Sequence, residues 1–175
     1  LPISDVLVSD GDVFRGPDWT LEAIATPGHM SNHVCYALKE ENALFSGDHV
    51  MGWSTTVISP PDGNMRQYFA SLDKIRARGF STLWPTHGPP VTDVAPFIDA
   101  YAMHRRAREA AIVARMKAGD TLIPDMVKVI YKDVDKRLHA PAAHSVLAHV
   151  IQLVEEGRVI ADGPLTIATH YRLAA

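Results

Sequence analysis

Apolar and polar positions alternate in the first third of the chain. WTLEAIAT (19–26) sets Trp19, Leu21, Ala23 and Ala25 against Thr20, Glu22, Ile24 and Thr26, a period-2 pattern that predicts a strand. HVCYAL (33–38) and ALFSG (43–47) flank the polar turn KEEN and predict a hairpin. The period then lengthens. In NMRQYFASLDKIRARG (64–79), Met65, Phe69, Leu72 and Ile75 recur at helical spacing, and Gly79 stands where a C-terminal cap belongs. STLW (81–84) reads as a short strand running into the turn PTHGPP.

The second half is patterned for helices. Residues 93–119 form one long amphipathic stretch closing on Lys117 and Gly119. Residues 121–133 predict a helix with Thr121 as its N-cap. Residues 140–157 predict another, with Val146, Leu147, Val150, Ile151 and Val154 on one apolar face. RVIADG and THYRLA then read as a short hairpin. Three helices followed by a hairpin outline a winged helix-turn-helix.

Charge divides the chain in the same place. Residues 1–100 carry 6 Lys/Arg against 12 Asp/Glu, and residues 101–175 carry 11 against 8. Two modules, 1–100 and 101–175, are therefore expected. With 175 residues, 47% of them hydrophobic, the chain is long enough to bury a core without staples. A single cysteine, Cys35, excludes an internal disulfide framework and fits a reducing, cytoplasmic setting. No apolar run reaches the roughly 18 residues of a membrane span, so no membrane partner is expected. The chain opens LPISDV without a methionine, and is expected to be cut from something longer.

Three polar residues occupy one kind of position. His29 follows a strand in TPGH, Asp48 ends a strand in SGD, and His87 follows a strand in PTHG. Each adjoins a glycine, Gly28, Gly47 or Gly88, where backbone can approach without a blocking side chain. Two imidazoles and a carboxylate suit Zn, Mn or Fe.

The ordered set TPGHMSNH, FSGD and PTHGP resembles the later motifs of the metallo-β-lactamase fold superfamily. STTV (54–57), the helix at 64–79 and the trailing helical module resemble the β-lactamase-like protein 2 group, whose members include a single-strand endoribonuclease. The first loop is also similar to its glyoxalase II form. The resemblance implies an α/β (α+β) fold: the C-terminal half of an αββα sandwich, then a small, mostly α winged-helix domain. It implies metal roles for His29, Asp48 and His87, with Asp48 bridging two metals, and hydrolysis of an ester, thioester, lactam or phosphodiester. The family's HxHxDH motif does not occur here. Neither metal would then keep the three protein ligands a catalytic zinc needs, so the chain by itself is expected to be inactive and metal-free.

Other residues carry lesser expectations. His33 is expected to orient a ligand or to be structural, and His49 to alternate away from Asp48. Cys35 is expected in the core. Trp53, Thr55 and Thr56 suit a substrate pocket or packing equally. Arg105, Arg106 and Arg108 read as a solvated helical face, with nucleic-acid phosphate contact as the alternative. His139, His144 and His149 fall at spacings of five and do not form one metal site, although His144 could reach the catalytic mouth. Helix 140–157 has no Arg or Lys, which argues against sequence-specific DNA reading. A nucleic-acid-binding or protein-interaction module is the rival reading, since half a sandwich exposes apolar sheet and favours self-association.

Overall fold

The computed structural model describes residues 6–174. Strands β1 (Val13–Arg15), β2 (Thr20–Ala25), β3 (Val34–Leu38) and β4 (Ala43–Gly47) form an antiparallel run. Helix α1 (Met65–Arg78) crosses over to β5 (Thr82–Pro85), which pairs parallel with β4. The sheet order is β1-β2-β3-β4-β5. Helices α2 (Val94–Lys117), α3 (Ile123–Ile130) and α4 (His139–Glu155) follow, then the hairpin of β6 (Val159–Ala161) and β7 (Tyr171–Leu173). Among the described residues, no helix is long and apolar enough to cross a membrane.

Local chemistry fixes α1. The Asn64 side chain accepts from the Gln67 amide at 2.9 Å, satisfying a donor the first turn leaves unpaired. Gly79 ends the helix in the left-handed conformation, φ 66°. Between these caps, Tyr68, Leu72 and Ile75 face the sheet and are fully buried with Ile24, Cys35, Leu44 and Leu83. Burying a side chain of that size contributes roughly 1.5–3 kcal/mol.

The period of β2 is as expected, and the fold decides which face is covered. Ile24, from the more polar set, packs beneath α1. The more apolar set lies on the opposite face, where register aligns Ala23, Tyr36, Phe45 and Trp84 across four strands. Phe45 and Trp84 there are 45% and 44% exposed. A sheet apolar on both faces is built for cover on both.

A second core joins Ile112 and Met116 of α2 to Met126, Val146, Val150, Leu153 and Tyr171. Helix α2 therefore serves both cores, since Ile98 and Tyr101 belong to the first. Two expectations need correction here. Thr121 does not cap α3: Leu122 holds that position, and the Thr121 hydroxyl instead meets His170 Nδ1 at 2.8 Å. The helix also stops at Ile130 and does not reach residue 133. Strand β1 has only three residues and gave no readable period.

Candidate functional site

Loops at one end of the strands, following β2, β4 and β5, carry His29, Asp48 and His87. The Gly28 carbonyl accepts from the Asn64 amide at 2.8 Å, tying the His29 loop to the start of α1. Gly28 sits at φ 137°, and a Cβ there would lie 2.4 Å from the Tyr68 Cα, so only glycine fits. At Gly88, φ 95°, a Cβ would lie 2.8 Å from Gly52, whose amide donates to the His87 carbonyl at 2.7 Å. The close approach expected beside these glycines is thus present at Gly28 and Gly88.

These supports bring three side chains together. His29 Nε2 is 3.9 Å from one Asp48 oxygen, and His87 Nε2 is 3.5 Å from the other. Asp48 Oδ1 is buried without a hydrogen-bond partner. The His29 Nδ1 is 2.6 Å from the Val57 carbonyl, which can only accept, so that nitrogen carries the proton. In the neutral ring the Nε2 lone pair then faces Asp48, the tautomer that binds metals. Trp53 stacks parallel to His87, ring centres 6.2 Å apart and 72% exposed.

The donor set fits part of a metal centre. A carboxylate offers one oxygen to each of two imidazole nitrogens, as a bridging ligand would. Among the described residues, no group of three or more His, Cys, Asp or Glu side chains stands where it could hold a metal ion, the set of His29, Asp48 and His87 included.

The loop after Asp48 is held from several sides. The Thr56 hydroxyl is buried and bonds the Asp48 carbonyl at 2.6 Å and that of His49 at 3.1 Å. The Tyr101 hydroxyl accepts from the Met51 amide at 3.1 Å and reaches the Met51 and Ser54 carbonyls. Arg105 is 3% exposed, donates to the Thr56 carbonyl and lies 5.5 Å from the Tyr68 ring. A solvated Arg face is therefore wrong for Arg105. Arg108 also covers a ring, that of Tyr131 at 4.2 Å, and only Arg106 remains on an exposed stretch, over Phe69. Spacing held the missed signal: Ile98, Tyr101 and Arg105 recur at helical intervals, on the apolar side of α2.

The remaining histidines divide. His33 Nδ1 is 2.7 Å from the Thr26 hydroxyl, and its ring stands 6.2 Å from that of His29. Burial, then the neighbouring His29, lowers its pKa. His49 points into the core, with its ring 4.9 Å from Tyr68 and both nitrogens unpaired; burial lowers its pKa to about 3. His144 is exposed and meets the Ser59 hydroxyl at 3.3 Å. His149 is buried with both nitrogens unpaired, and His139 bonds the Tyr131 carbonyl at 3.2 Å. Cys35 is fully buried, its thiol pushed up to about 12 by burial.

Comparison with known proteins agrees with this architecture. Residues 2–87 match the Metallo-beta-lactamase superfamily, and residues 123–164 match the Beta-lactamase associated winged helix domain. The chain belongs to the metallo-beta-lactamase superfamily, in a form that carries this winged helix. A beta-lactamase-like protein 2 homolog of Caenorhabditis elegans is 33% identical over 153 residues, 87% of this chain and 50% of the relative. An atrochrysone carboxyl ACP thioesterase of Aspergillus chevalieri is 29% identical, over 80% of this chain and 48% of its own. A beta-lactamase domain protein from Burkholderia ambifaria shares the fold, with TM-score 0.88, 21% identity, and coverage of 99% of this chain and 54% of that one. A metallo-beta-lactamase family protein from Thermus thermophilus aligns with TM-score 0.84 and 22% identity, over 99% and 56%. The chain spans about half the length of the curated relatives it matches.

Proposed function

We propose that this chain supplies the later ligands of a metal-dependent hydrolase acting on an ester, thioester, lactam or phosphodiester. The observation that carries the reading is the His29 Nδ1 bond to the Val57 carbonyl, which in the neutral ring turns the Nε2 lone pair toward Asp48. His29, Asp48 and His87 would hold Zn, Mn or Fe, which when bound supplies an activated water and charge stabilisation at the developing oxyanion. Asp48 fixes the spacing between the two imidazoles. Thr56, Tyr101 and Arg105 keep the Asp48 loop from relaxing away from them. A thioester substrate has support from the Aspergillus chevalieri relative, a thioesterase by name.

The chain alone lacks HxHxDH, and we assign it no turnover by itself. The test is co-expression with a segment carrying that motif from the Caenorhabditis elegans relative. After dialysis against trace Zn and Mn, mass spectrometry should find less than one metal on the chain alone and about two on the complemented form. Hydrolysis of ester, thioester, lactam and RNA substrates should appear only in the second and vanish in Asp48→Asn. Stoichiometric metal with none of these activities would sink the enzyme reading.

A second reading, as an interaction module, draws on the exposed Phe45 and Trp84 beside half-buried Tyr36. It predicts self-association that rises with concentration and is lost in Phe45→Ser/Trp84→Ser, read by sedimentation. DNA reading draws no comparable support, because α4 turns eight residues into the interior, including Val146, Leu147 and Val150.

A further inference from the structure

Arg105 and Arg108 line a cavity of about 340 Å³ between the loop at 54–57 and helices α2 and α4. No Asp or Glu lines it. Both guanidinium groups keep a buried Nε without a partner, and among the described residues neither makes an ion pair with a carboxylate. The nearby Glu109 is engaged by Arg158 at 2.7 Å. A buried guanidinium without a counter-charge is costly unless something else supplies the negative charge. Hydroxyl groups of Ser54, Thr55 and Ser145 join the arginines on the wall, and Val134 and Leu138 make part of it apolar.

We propose that this cavity binds an organic oxyanion, a carboxylate or phosphate carried on an apolar group. Beyond the bonds of Arg105 to the Thr56 carbonyl and of Arg108 to the Ile130 carbonyl at 3.3 Å, each guanidinium keeps N–H donors for the oxygens of either anion. The hydroxyls complete its hydrogen bonds, and the apolar wall takes the attached group. The volume falls in the range of small-molecule sites and exceeds what a bare inorganic ion fills. The cavity also adjoins the candidate metal centre through one loop. Val57, on its wall, bonds His29, and Thr56, also on its wall, bonds the Asp48 carbonyl. That the oxyanion is the acidic part of a hydrolysed substrate rests on the hydrolase reading; the binding itself does not.

The test uses the 175-residue chain with three probes at constant ionic strength: phenyl phosphate, benzoate and benzyl alcohol. Thermal melts and calorimetry should show saturable stabilisation by one or both anions and none by the neutral alcohol. The stronger of the two identifies phosphate or carboxylate as the natural group. Arg108→Gln should weaken binding roughly ten- to hundredfold, the worth of a hydrogen bond to a charged group. Ser145→Phe, which fills the cavity and leaves both arginines, should abolish it, and serves alone if Arg108→Gln does not fold. Equal binding of benzyl alcohol, or undiminished anion binding by a folded variant, overturns the proposal. The readout is binding, so a failed hydrolysis assay leaves it standing, and a failed binding assay leaves the hydrolase reading standing.

Discussion

Gly88 lies against Gly52 so closely that a Cβ on Gly88 would come within 2.8 Å of the Gly52 Cα. This contact joins the loop bearing His87 to the loop that follows Asp48. Gly88→Ala should therefore cost about 2–4 kcal/mol, from a positive φ of 95° and a collision with backbone that cannot swing aside. Urea unfolding measures the loss, and stability equal to the parent would show that the two loops part easily.

Thr56→Val preserves shape and removes one hydroxyl. That hydroxyl bonds the carbonyls of Asp48 and His49, so the variant should lose about 1–2 kcal/mol. Its complemented form should also take up metal more weakly, because the Asp48 loop is freed on one side. Unchanged stability together with unchanged uptake would mark Thr56 as simple packing.

His149 predicts a pH dependence. Burial, then the charges of Arg105 and Arg108, lowers its pKa from 6.5 to about 3 in the folded chain. Unfolded, the same ring takes a proton as pH falls through 6.5, while the folded form stays neutral. Its contribution is therefore intact above pH 6.5 and drains away below it, by at most about 1.4 kcal/mol per pH unit, until the folded ring also protonates near pH 3. His49 adds the same sign over the same window. His149→Leu should flatten the fall in stability between pH 6.5 and 4, and a slope identical to the parent's would contradict it.

Arg105 and Arg106 are neighbours with opposite fates. Arg105→Ala removes a buried donor to the Thr56 carbonyl and leaves a gap beside Tyr68, a loss of about 2–4 kcal/mol. Arg106→Ala, on the exposed side, should stay within about 0.5 kcal/mol. Parallel urea titrations decide, and equal losses would return both residues to a common surface.

What the sequence made legible was local. Gly79 closes α1 because caps act within a few residues, and the strands from 20 to 47 declared themselves by period and turn. The set His29, Asp48 and His87 was readable as three strand-end residues beside glycines, each a short-range signal. What escaped was set by distant partners. Thr121 has the chemistry of a cap, yet its hydroxyl serves His170, 49 residues away. Arg105 looked solvated because charge suggests water, while Thr56 and Tyr68 that enclose it come from other segments. The use of Ile24 beneath α1 depended on which face the crossover helix covers, and alternation alone does not choose a face.

At 24 residues, α2 is a beam about 36 Å long whose two ends are set in different walls. Tyr101, toward one end, grips the strand-end loop through Met51 and Ser54, while Ile112 and Met116 anchor the other end beside Tyr171. One continuous helix is thus shared by the winged-helix core and the loop that follows Asp48.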